Sequence, residues 1–212
     1  MNIAVLFADI REFTKLAERK LPYDLVFLLN EYFRAMGECI TREGGRIDKF
    51  IGDGIMALFG LDGDPQKACE DALAAARAMS EGLQKLNIAL ENDLPQPLRL
   101  GIGIHFGYAI VGKMGYESVS LLTAIGDIVN TASRLESATK EFKVEFIVSE
   151  DVVKTAGANL SAFQRQELSV RGREDPLNVY VVERAHMLPV RTPKDPNTVE
   201  GNWLSRLVPN FP

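Results

Sequence analysis

Two aspartates of this chain lie where an apolar segment ends or bends. Asp9 closes the apolar run NIAVLFAD, and Asp53 lies between Gly52 and Gly54 at the bend that joins RIDKFI to IMALFG. Glycines on both sides of a residue allow a tight turn or a close approach of the backbone to a ligand. Two carboxylates on neighbouring strand ends suit a hard cation such as Mg²⁺, with phosphates supplying further oxygens. The alternatives are a cap at Asp9 and an ordinary hairpin turn residue at Asp53.

A second polar pair lies on one face of the helix predicted in IGDIVNTASRLES. Ile128, Ala132 and Leu135 share the core face of that helix. Asn130 and Arg134, four positions apart, lie side by side on another face. An amide and a guanidinium held together can bind an oxygen-rich group. The alternative is a solvated helix face with an ordinary surface arginine.

Basic and imidazole groups supply two further candidates. Arg171 and Arg173 flank a glycine in SVRGRED, an arrangement that suits a phosphate clamp but is also common in charged hairpin turns. His105 in GIHFG could serve acid–base chemistry, although a structural histidine at a strand end is the favoured interpretation. His105 and His186 are the two histidines of the chain, too few for a histidine-rich metal site.

The composition is that of an ordinary globular protein, with 46% hydrophobic and 25% charged residues in 212. The net charge of -5 argues against nucleic acid as a partner, because duplex binding needs an excess of Lys and Arg facing phosphates. A small phosphorylated ligand is still allowed. No apolar run reaches the roughly 18 residues that span a bilayer, and no signal peptide is evident, so we expect a cytoplasmic location.

Strands and helices recur along the chain in an order typical of an α+β fold. A buried strand opens it, and amphipathic helices are predicted from Pro22 to Gly44 and from Pro65 to about Leu90. The strand LRLGIGIHFG alternates large apolar residues with glycine, which indicates close packing of another backbone, and YAIVGKM is its expected partner strand. Ser149 is expected to cap a short helix. These units predict a ferredoxin-like α/β sandwich, a mixed sheet with helices packed on it.

The domain boundary is expected near residue 184. Five of the ten prolines lie in the last 24 residues, so residues 185–212 are predicted to be a Pro-rich tail or linker and residues 1–184 a single domain. The chain enters its first strand almost at once. We therefore expect that it is a catalytic piece of a longer protein, whose regulatory or membrane region lies elsewhere.

Taken in order, FADIREFT, KFIGDGIMALFG, GIGIHFGYAIVG, TAIGDIVNTASRLE and VRG resemble the catalytic domain of the class III nucleotidyl cyclases, the adenylate and guanylate cyclases, over roughly residues 3–183. The resemblance implies a head-to-tail homodimer with active sites built from both subunits at the interface. It also implies ATP as substrate and two divalent metal ions, Mg²⁺ or Mn²⁺, as cofactors. The 3′-hydroxyl of the nucleotide would attack its own α-phosphorus and displace pyrophosphate.

The same resemblance assigns five positions to metal and purine. Asp9 and Asp53 match the metal-binding aspartates, and the backbone carbonyl of Ile10 is a further expected ligand. Lys49 matches the position that contacts the purine ring, and Thr123 matches its partner there. The neighbouring Arg46 and Asp48 receive no role.

Three further positions match the ribose, transition-state and phosphate contacts. Asn130 matches the asparagine that orients the ribose, and Arg134 matches the arginine that stabilises the transition state. Arg171 occupies the place of a basic residue, typically lysine, that binds the terminal phosphates. Because arginine and lysine differ in geometry, Arg173 is an alternative for that contact.

Base preference depends on Lys49 and Thr123. A lysine ammonium only donates hydrogen bonds, which suits the N1 acceptor of adenine, whereas guanine carries a proton at N1. Adenylate cyclase is therefore the favoured activity; a guanylate cyclase and a non-catalytic nucleotide-sensing dimerisation module are the alternatives. Thr123 stands where many adenylate cyclases have Asp and resembles the subclass that includes bicarbonate-responsive enzymes, so bicarbonate stimulation is a hypothesis.

Overall fold

The computed structural model describes residues 1–18, 20–116, 119–169 and 175–190. The strands are β1 (Asn2–Ile10), β2 (Arg46–Ile51), β3 (Gly54–Phe59), β4 (Leu100–Tyr108), β5 (Ile110–Tyr116), β6 (Val119–Ile125), β7 (Phe146–Ser149), β8 (Gln164–Leu168) and β9 (Leu177–Val182). The helices are α1 (Phe13–Ala17), α2 (Pro22–Arg42), α3 (Pro65–Ala89), α4 (Asp127–Phe142) and α5 (Glu150–Ala156), with a 3₁₀ turn at Ala185–Met187. Arg171, Arg173 and the predicted tail beyond residue 190 lie outside the described residues.

The described residues form a mixed sheet of seven strands, in the order β2-β3-β1-β4-β7-β9-β8. β4 and β7 run parallel, and the other neighbouring pairs are antiparallel. With helices packed on this sheet, the predicted α+β sandwich is confirmed. β1 lies inside the sheet and is flanked by β3 and β4, so its end is close to the turns of its neighbours.

Helices α2 and α3 cover one face of the sheet. The apolar residues of α2 recur every four positions and are buried as predicted, namely Leu28, Tyr32, Met36 and Ile40. Many of the buried residues of α3 are alanines, which let the two helices pack closely with each other and with the sheet. This cluster forms the main core.

Helix α4 packs against the opposite face of the sheet, where β4 presents glycines. A Cβ at Gly103 would lie 2.1 Å from the backbone nitrogen of Glu136 and 2.6 Å from the carbonyl of Ala132. Glycine is therefore required for this approach, as the alternation in LRLGIGIHFG predicted. The contact fixes α4 on the sheet and positions the face that bears Asn130 and Arg134.

One predicted strand pairing is wrong. β5, the YAIVGKM segment, does not pair with β4; it forms a separate two-stranded ribbon with β6. The reason is that both edges of β4 are occupied, by β1 on one side and by β7 on the other. The ribbon matters for function because it carries Thr123.

Residues just beyond the expected domain boundary pack against the core. Ala185 and Leu188 are buried, and Arg77 of α3 donates hydrogen bonds to the carbonyls of His186 and Leu188. The described part of the predicted tail thus covers α3. None of the helices in the described part of the chain has the length and apolar character needed to cross a membrane.

Candidate active site

Asp9 and Asp53 meet at one end of the sheet. β1 and β3 are antiparallel neighbours with Ala8 opposite Ile55, so the end of β1 lies beside the turn that precedes β3. In that turn Gly52 adopts a φ of +62°, a conformation that favours glycine and directs the chain sharply into β3. The predicted juxtaposition of the two aspartates is therefore a consequence of strand register and a glycine turn.

The carboxyl groups of Asp9 and Asp53 are close together, and the positive charge of Arg11 does not offset the effects that raise the pKa of Asp9. Burial, a hydrogen bond with Asp53 and the negative charges of Asp53 and Glu136 raise the pKa of Asp9 to about 7, despite the opposing effect of Arg11. Oδ2 of Asp53 is buried and has no hydrogen-bond partner among the described residues. An orphaned carboxylate oxygen beside a second carboxyl group is the electrostatic situation that a bound cation relieves.

The donor set fits a hard divalent cation that retains open positions. Within the described ranges no group of three or more His, Cys, Asp and Glu side chains is placed to hold a metal. Asp9 and Asp53 offer carboxylate oxygens, and Ile10, whose backbone carbonyl is the further predicted ligand, lines the same cavity. Mg²⁺ is commonly bound by one or two carboxylates together with water and substrate phosphates.

A cavity of about 570 Å³ opens beside these residues. Its size is within the range of small-molecule sites. Basic side chains from four parts of the chain line it together with the acidic ones, and these are Arg11, Arg99, Lys140, Lys143 and Arg184. This mixture suits a polyanionic ligand that arrives with cations. These basic residues were not predicted from the sequence, although Lys140 and Lys143 are close together at the end of the α4 pattern.

Arg11 connects the end of β1 to α4. Its Nη1 lies 3.1 Å from Oε1 of Glu136, and its Nη2 donates to the backbone carbonyl of Glu136 at 3.2 Å. A Cβ at Gly101 would lie 1.8 Å from Nη2 of Arg11, so the guanidinium occupies space that this glycine leaves open. The ion pair places a positive charge next to Asp9 and was not predicted from sequence.

Tyr32 of α2 is also close to the carboxyl groups. It is completely buried, and its hydroxyl has no hydrogen-bond partner among the described residues. Burial and the negative charges of Asp9, Asp53 and Glu136 raise the pKa of the Tyr32 hydroxyl well above its usual value of 10. The phenol therefore remains a neutral donor behind the aspartates. The helical spacing of Tyr32 predicted a core residue. Nothing in the sequence pattern predicted that its hydroxyl would lie near the aspartates.

Lys49 and Thr123, the two positions that the family resemblance assigns to the purine, are in direct contact. Nζ of Lys49 donates to Oγ1 of Thr123 at 3.1 Å, which joins β2 to the β5–β6 ribbon. Thr123 in turn donates to Oδ2 of Asp48 at 2.9 Å, and the Lys49 ammonium lies 3.1 Å from the same oxygen. Asp48, for which no role was predicted, thus completes a three-residue network.

Asn130 and Arg134 lie on one face of α4, where Asn130 is exposed and Arg134 is half-buried, while Ile128, Ala132 and Leu135 are buried as predicted. Neither polar residue lines the cavity that contains the aspartates, and neither do Lys49 and Thr123. The described residues of one chain therefore do not gather the predicted site into a single cavity.

His105 has the structural role that was favoured. It is buried, and its Nδ1 lies 2.8 Å from Oγ of Ser149. Ser149 occupies the N-cap position of α5 in an extended conformation, but its side chain makes no capping bond to that helix. The predicted cap is thus present as a backbone position, while the hydroxyl binds His105 instead.

Sequence comparison places this architecture in a known family. Residues 1–184 match the model of the adenylate and guanylate cyclase catalytic domain. An adenylate cyclase of Anabaena cylindrica is 36% identical over 190 residues, covering 86% of this chain and 37% of the relative. Adenylate cyclase 1 of Rhizobium meliloti is 32% identical, covering 85% of this chain and 27% of the relative. The chain thus spans about a third of the length of these relatives.

Solved structures give the same result. The guanylyl cyclase Cya2 superposes with a TM-score of 0.79 at 32% identity and covers 86% of this chain and 91% of its own. The adenylyl cyclase CyaB from P. aeruginosa superposes with a TM-score of 0.76 at 29% identity and covers 92% and 96%. With its aspartate pair, its Lys49–Thr123 contact and this similarity, the chain belongs to the family of adenylate and guanylate cyclase catalytic domains.

Proposed function

We propose that this chain is an adenylate cyclase catalytic domain that converts ATP to 3′,5′-cyclic AMP and pyrophosphate. The observation that carries the proposal is the close pair of Asp9 and Asp53 in a cavity edged by basic side chains. The relatives from Anabaena cylindrica and Rhizobium meliloti, both described as adenylate cyclases, support it. We place the domain in the cytoplasm.

The chain's own residues position the nucleotide for attack of its 3′-hydroxyl on the α-phosphorus, a transfer that depends mainly on positioning and charge stabilisation. Asp9, Asp53 and the carbonyl of Ile10 would hold two divalent cations, Mg²⁺ or Mn²⁺. When bound, such ions supply Lewis acidity and neutralise charge at the reacting oxygens. The basic residues around the cavity compensate for the net charge of -5 where the triphosphate enters.

Residues of α4 and the β8–β9 connection act on the other parts of the substrate. Asn130 orients the ribose. Arg134 donates to the charge that develops in the transition state, a contribution of about 3 kcal/mol for one well-placed donor. Arg171 binds the terminal phosphates, with Arg173 as the alternative.

Two chains are needed for one site, because Asn130 and Arg134 do not line the cavity of their own aspartates. Exposed apolar side chains on the start of α2, the β2–β3 hairpin and the β5–β6 ribbon offer a dimer surface; they include Tyr23, Val26, Phe27, Phe50, Ile51, Ile110, Tyr116 and Leu121. Tyr23 is 88% and Tyr116 77% exposed, and a large exposed patch of apolar side chains is typical of an interaction surface. A head-to-tail homodimer covers these residues and forms two shared sites.

The purine is recognised by Lys49 and Thr123. The Lys49 ammonium donates to N1 of adenine and would meet a proton at N1 of guanine. This contact favours ATP over GTP, even though Cya2, a structural neighbour, is described as a guanylyl cyclase. Guanylate cyclase activity is therefore the second candidate.

The test is cyclic nucleotide formation by the purified chain with Mn²⁺ and either ATP or GTP, over a range of protein concentrations. We expect cyclic AMP from ATP at a rate per chain that rises with concentration, since the sites are shared. Faster product formation from GTP would favour the second candidate. ATP binding with no cyclic product at any concentration would instead support a non-catalytic nucleotide-sensing module.

A further inference from the structure

The β2 strand contains an irregularity at Asp48. Ile47 is opposite Ala57 on β3, but the next paired residue is Lys49, opposite Met56, so Asp48 is an extra residue in the ladder. In a regular strand, successive side chains point to opposite faces. A β-bulge changes this direction locally. The bulge explains how two consecutive side chains, those of Asp48 and Lys49, both reach Thr123 on the neighbouring ribbon.

The Asp48 side chain is deeply enclosed. It is 0% exposed, whereas that of Lys49 is 43% exposed. Oδ2 of Asp48 accepts from Thr123 at 2.9 Å and pairs with the Lys49 ammonium at 3.1 Å, while Oδ1 is buried without a hydrogen-bond partner among the described residues. A fully enclosed carboxylate with one unsatisfied oxygen is costly, and such exceptions to local rules are expected at functional sites.

The network determines the hydrogen-bonding role of the Thr123 hydroxyl. A free threonine hydroxyl has one proton and two lone pairs, so it can donate to one ligand and accept from another. The Asp48 carboxylate is only an acceptor, and therefore takes the proton. The Lys49 ammonium is only a donor, and occupies one lone pair. What remains for a ligand is a single acceptor site on Oγ1.

We propose that Asp48 is a specificity-determining residue that acts through Thr123, by fixing its hydroxyl as an acceptor toward the purine. This inference rests on the proposed function and deepens it. An acceptor matches the exocyclic amino group of adenine, which donates, and repels the carbonyl oxygen of guanine, which accepts. Without Asp48 the hydroxyl can rotate and donate to guanine, so discrimination falls. Asp48 is a positioning residue, because it is enclosed and does not itself contact the base.

The experiment compares kcat/KM for ATP and for GTP in the wild type, in Asp48→Ala and in Asp48→Asn. We expect Asp48→Ala to lower the ATP:GTP ratio about tenfold, because the fixed acceptor is lost. Asp48→Asn should lower it less, about threefold, because an amide oxygen can still accept the Thr123 proton. A purely structural role would reduce both nucleotides together and leave the ratio unchanged.

A matched control variant and a Thr123→Val background distinguish an effect through Thr123 from the general effect of losing a buried carboxylate. Asp71→Asn neutralises another buried carboxylate, one that pairs with Lys67 at 2.8 Å on α3, and should leave the ratio unchanged. In a Thr123→Val background, adding Asp48→Ala should no longer change the ratio, because the hydroxyl through which Asp48 acts is absent. If Asp48→Ala does not fold, as judged by its thermal unfolding, Asp48→Asn alone decides the question.

The failures of the two proposals are distinguishable. A wild type that forms no cyclic nucleotide, or that prefers GTP, overturns the proposed function and with it the role of Asp48. A wild type that makes cyclic AMP while both Asp48 variants keep the wild-type ratio overturns the inference alone. The inference is also overturned if Asp48→Ala changes the ATP:GTP ratio as much in the Thr123→Val background as in the wild type.

Discussion

Two aspartates on the β2–β3 hairpin have opposite surroundings, although they are only five positions apart. Asp48 is enclosed with a lysine ammonium and a hydroxyl donor on one of its oxygens. Asp53 lies against a second carboxyl group, that of Asp9, and keeps a buried oxygen without a partner among the described residues. Asp48 also keeps an oxygen, Oδ1, that is unpaired within the described part of the chain, but its charge is balanced by the Lys49 ammonium; we infer that the charge of Asp53 is balanced by a ligand instead. We therefore propose that Asp48 positions neighbouring side chains of the protein and that Asp53 binds a ligand.

The largest effect is expected at the binding carboxylate. Asp53→Asn keeps the shape of the side chain but removes the charge that we propose holds the cations, so cyclic AMP formation should fall about a thousandfold or more. Asp71→Asn, on α3, serves as the control and should keep wild-type activity. Retention of substantial activity by Asp53→Asn would contradict the assignment of this carboxylate to metal binding.

Arg134→Ala should lower kcat about a hundredfold or more, because a donor to transition-state charge is lost. Mixing this variant with Asp53→Asn gives a sharper result. In a randomly mixed head-to-tail dimer population, one site in each mixed dimer receives both intact residues, so about a quarter of wild-type activity should return. Activity that stays at the level of the separate variants would mean that each chain completes its own site.

Replacement of Asp9 by Asn and replacement of Asp48 by Asn should change the stability of the metal-free protein in opposite directions. The pKa of Asp9 is raised from 3.8 to about 7, so the metal-free fold loses stability as the pH rises through that range and the carboxyl group ionises. Asp9→Asn removes this loss and should stabilise the metal-free protein at pH 8 by about 1 kcal/mol, after allowance for partial exposure. At pH 4 the gain should be absent.

Asp48→Asn should have the opposite effect, because it removes charge-assisted bonds from an enclosed side chain. A loss of about 1–3 kcal/mol is expected. Thermal unfolding with a chelator present, at pH 5 and pH 8, measures both substitutions. The comparison fails if Asp9→Asn destabilises the metal-free protein at pH 8 or if Asp48→Asn stabilises it.

Much of this arrangement could be predicted from sequence because it depends on local patterns. Helical spacing located α2, α3 and α4, and the apolar run followed by Asp9 and the glycines around Asp53 indicated two strand ends that meet. The resemblance to the cyclases then paired Lys49 with Thr123, a contact between distant segments that no local pattern contains.

Other features depend on tertiary register and were missed for that reason. The bulge at Asp48 exists only relative to β3, so the strand pattern of RIDKFI gave no sign that Asp48 and Lys49 share a direction. The pairing of β5 depended on which edges of β4 were free. The space filled by Arg11 is likewise visible only once Gly101 is in place across the sheet.

Bicarbonate stimulation stays a prediction, and the network around Thr123 limits its expected size. In relatives with Asp at this position, a carboxylate would stand beside the lysine, and a bound anion could replace it where Thr is present. Here, however, Asp48 already provides a carboxylate 3.1 Å from the Lys49 ammonium. A second anion would meet a lysine whose charge is partly compensated, so we expect a rise in kcat that is smaller than any effect above.

The measurement compares the rate of cyclic AMP formation in bicarbonate with that in chloride, at fixed pH and ionic strength. Equal rates would remove the hypothesis, whereas a large stimulation would show that Asp48 does not satisfy Lys49 during turnover.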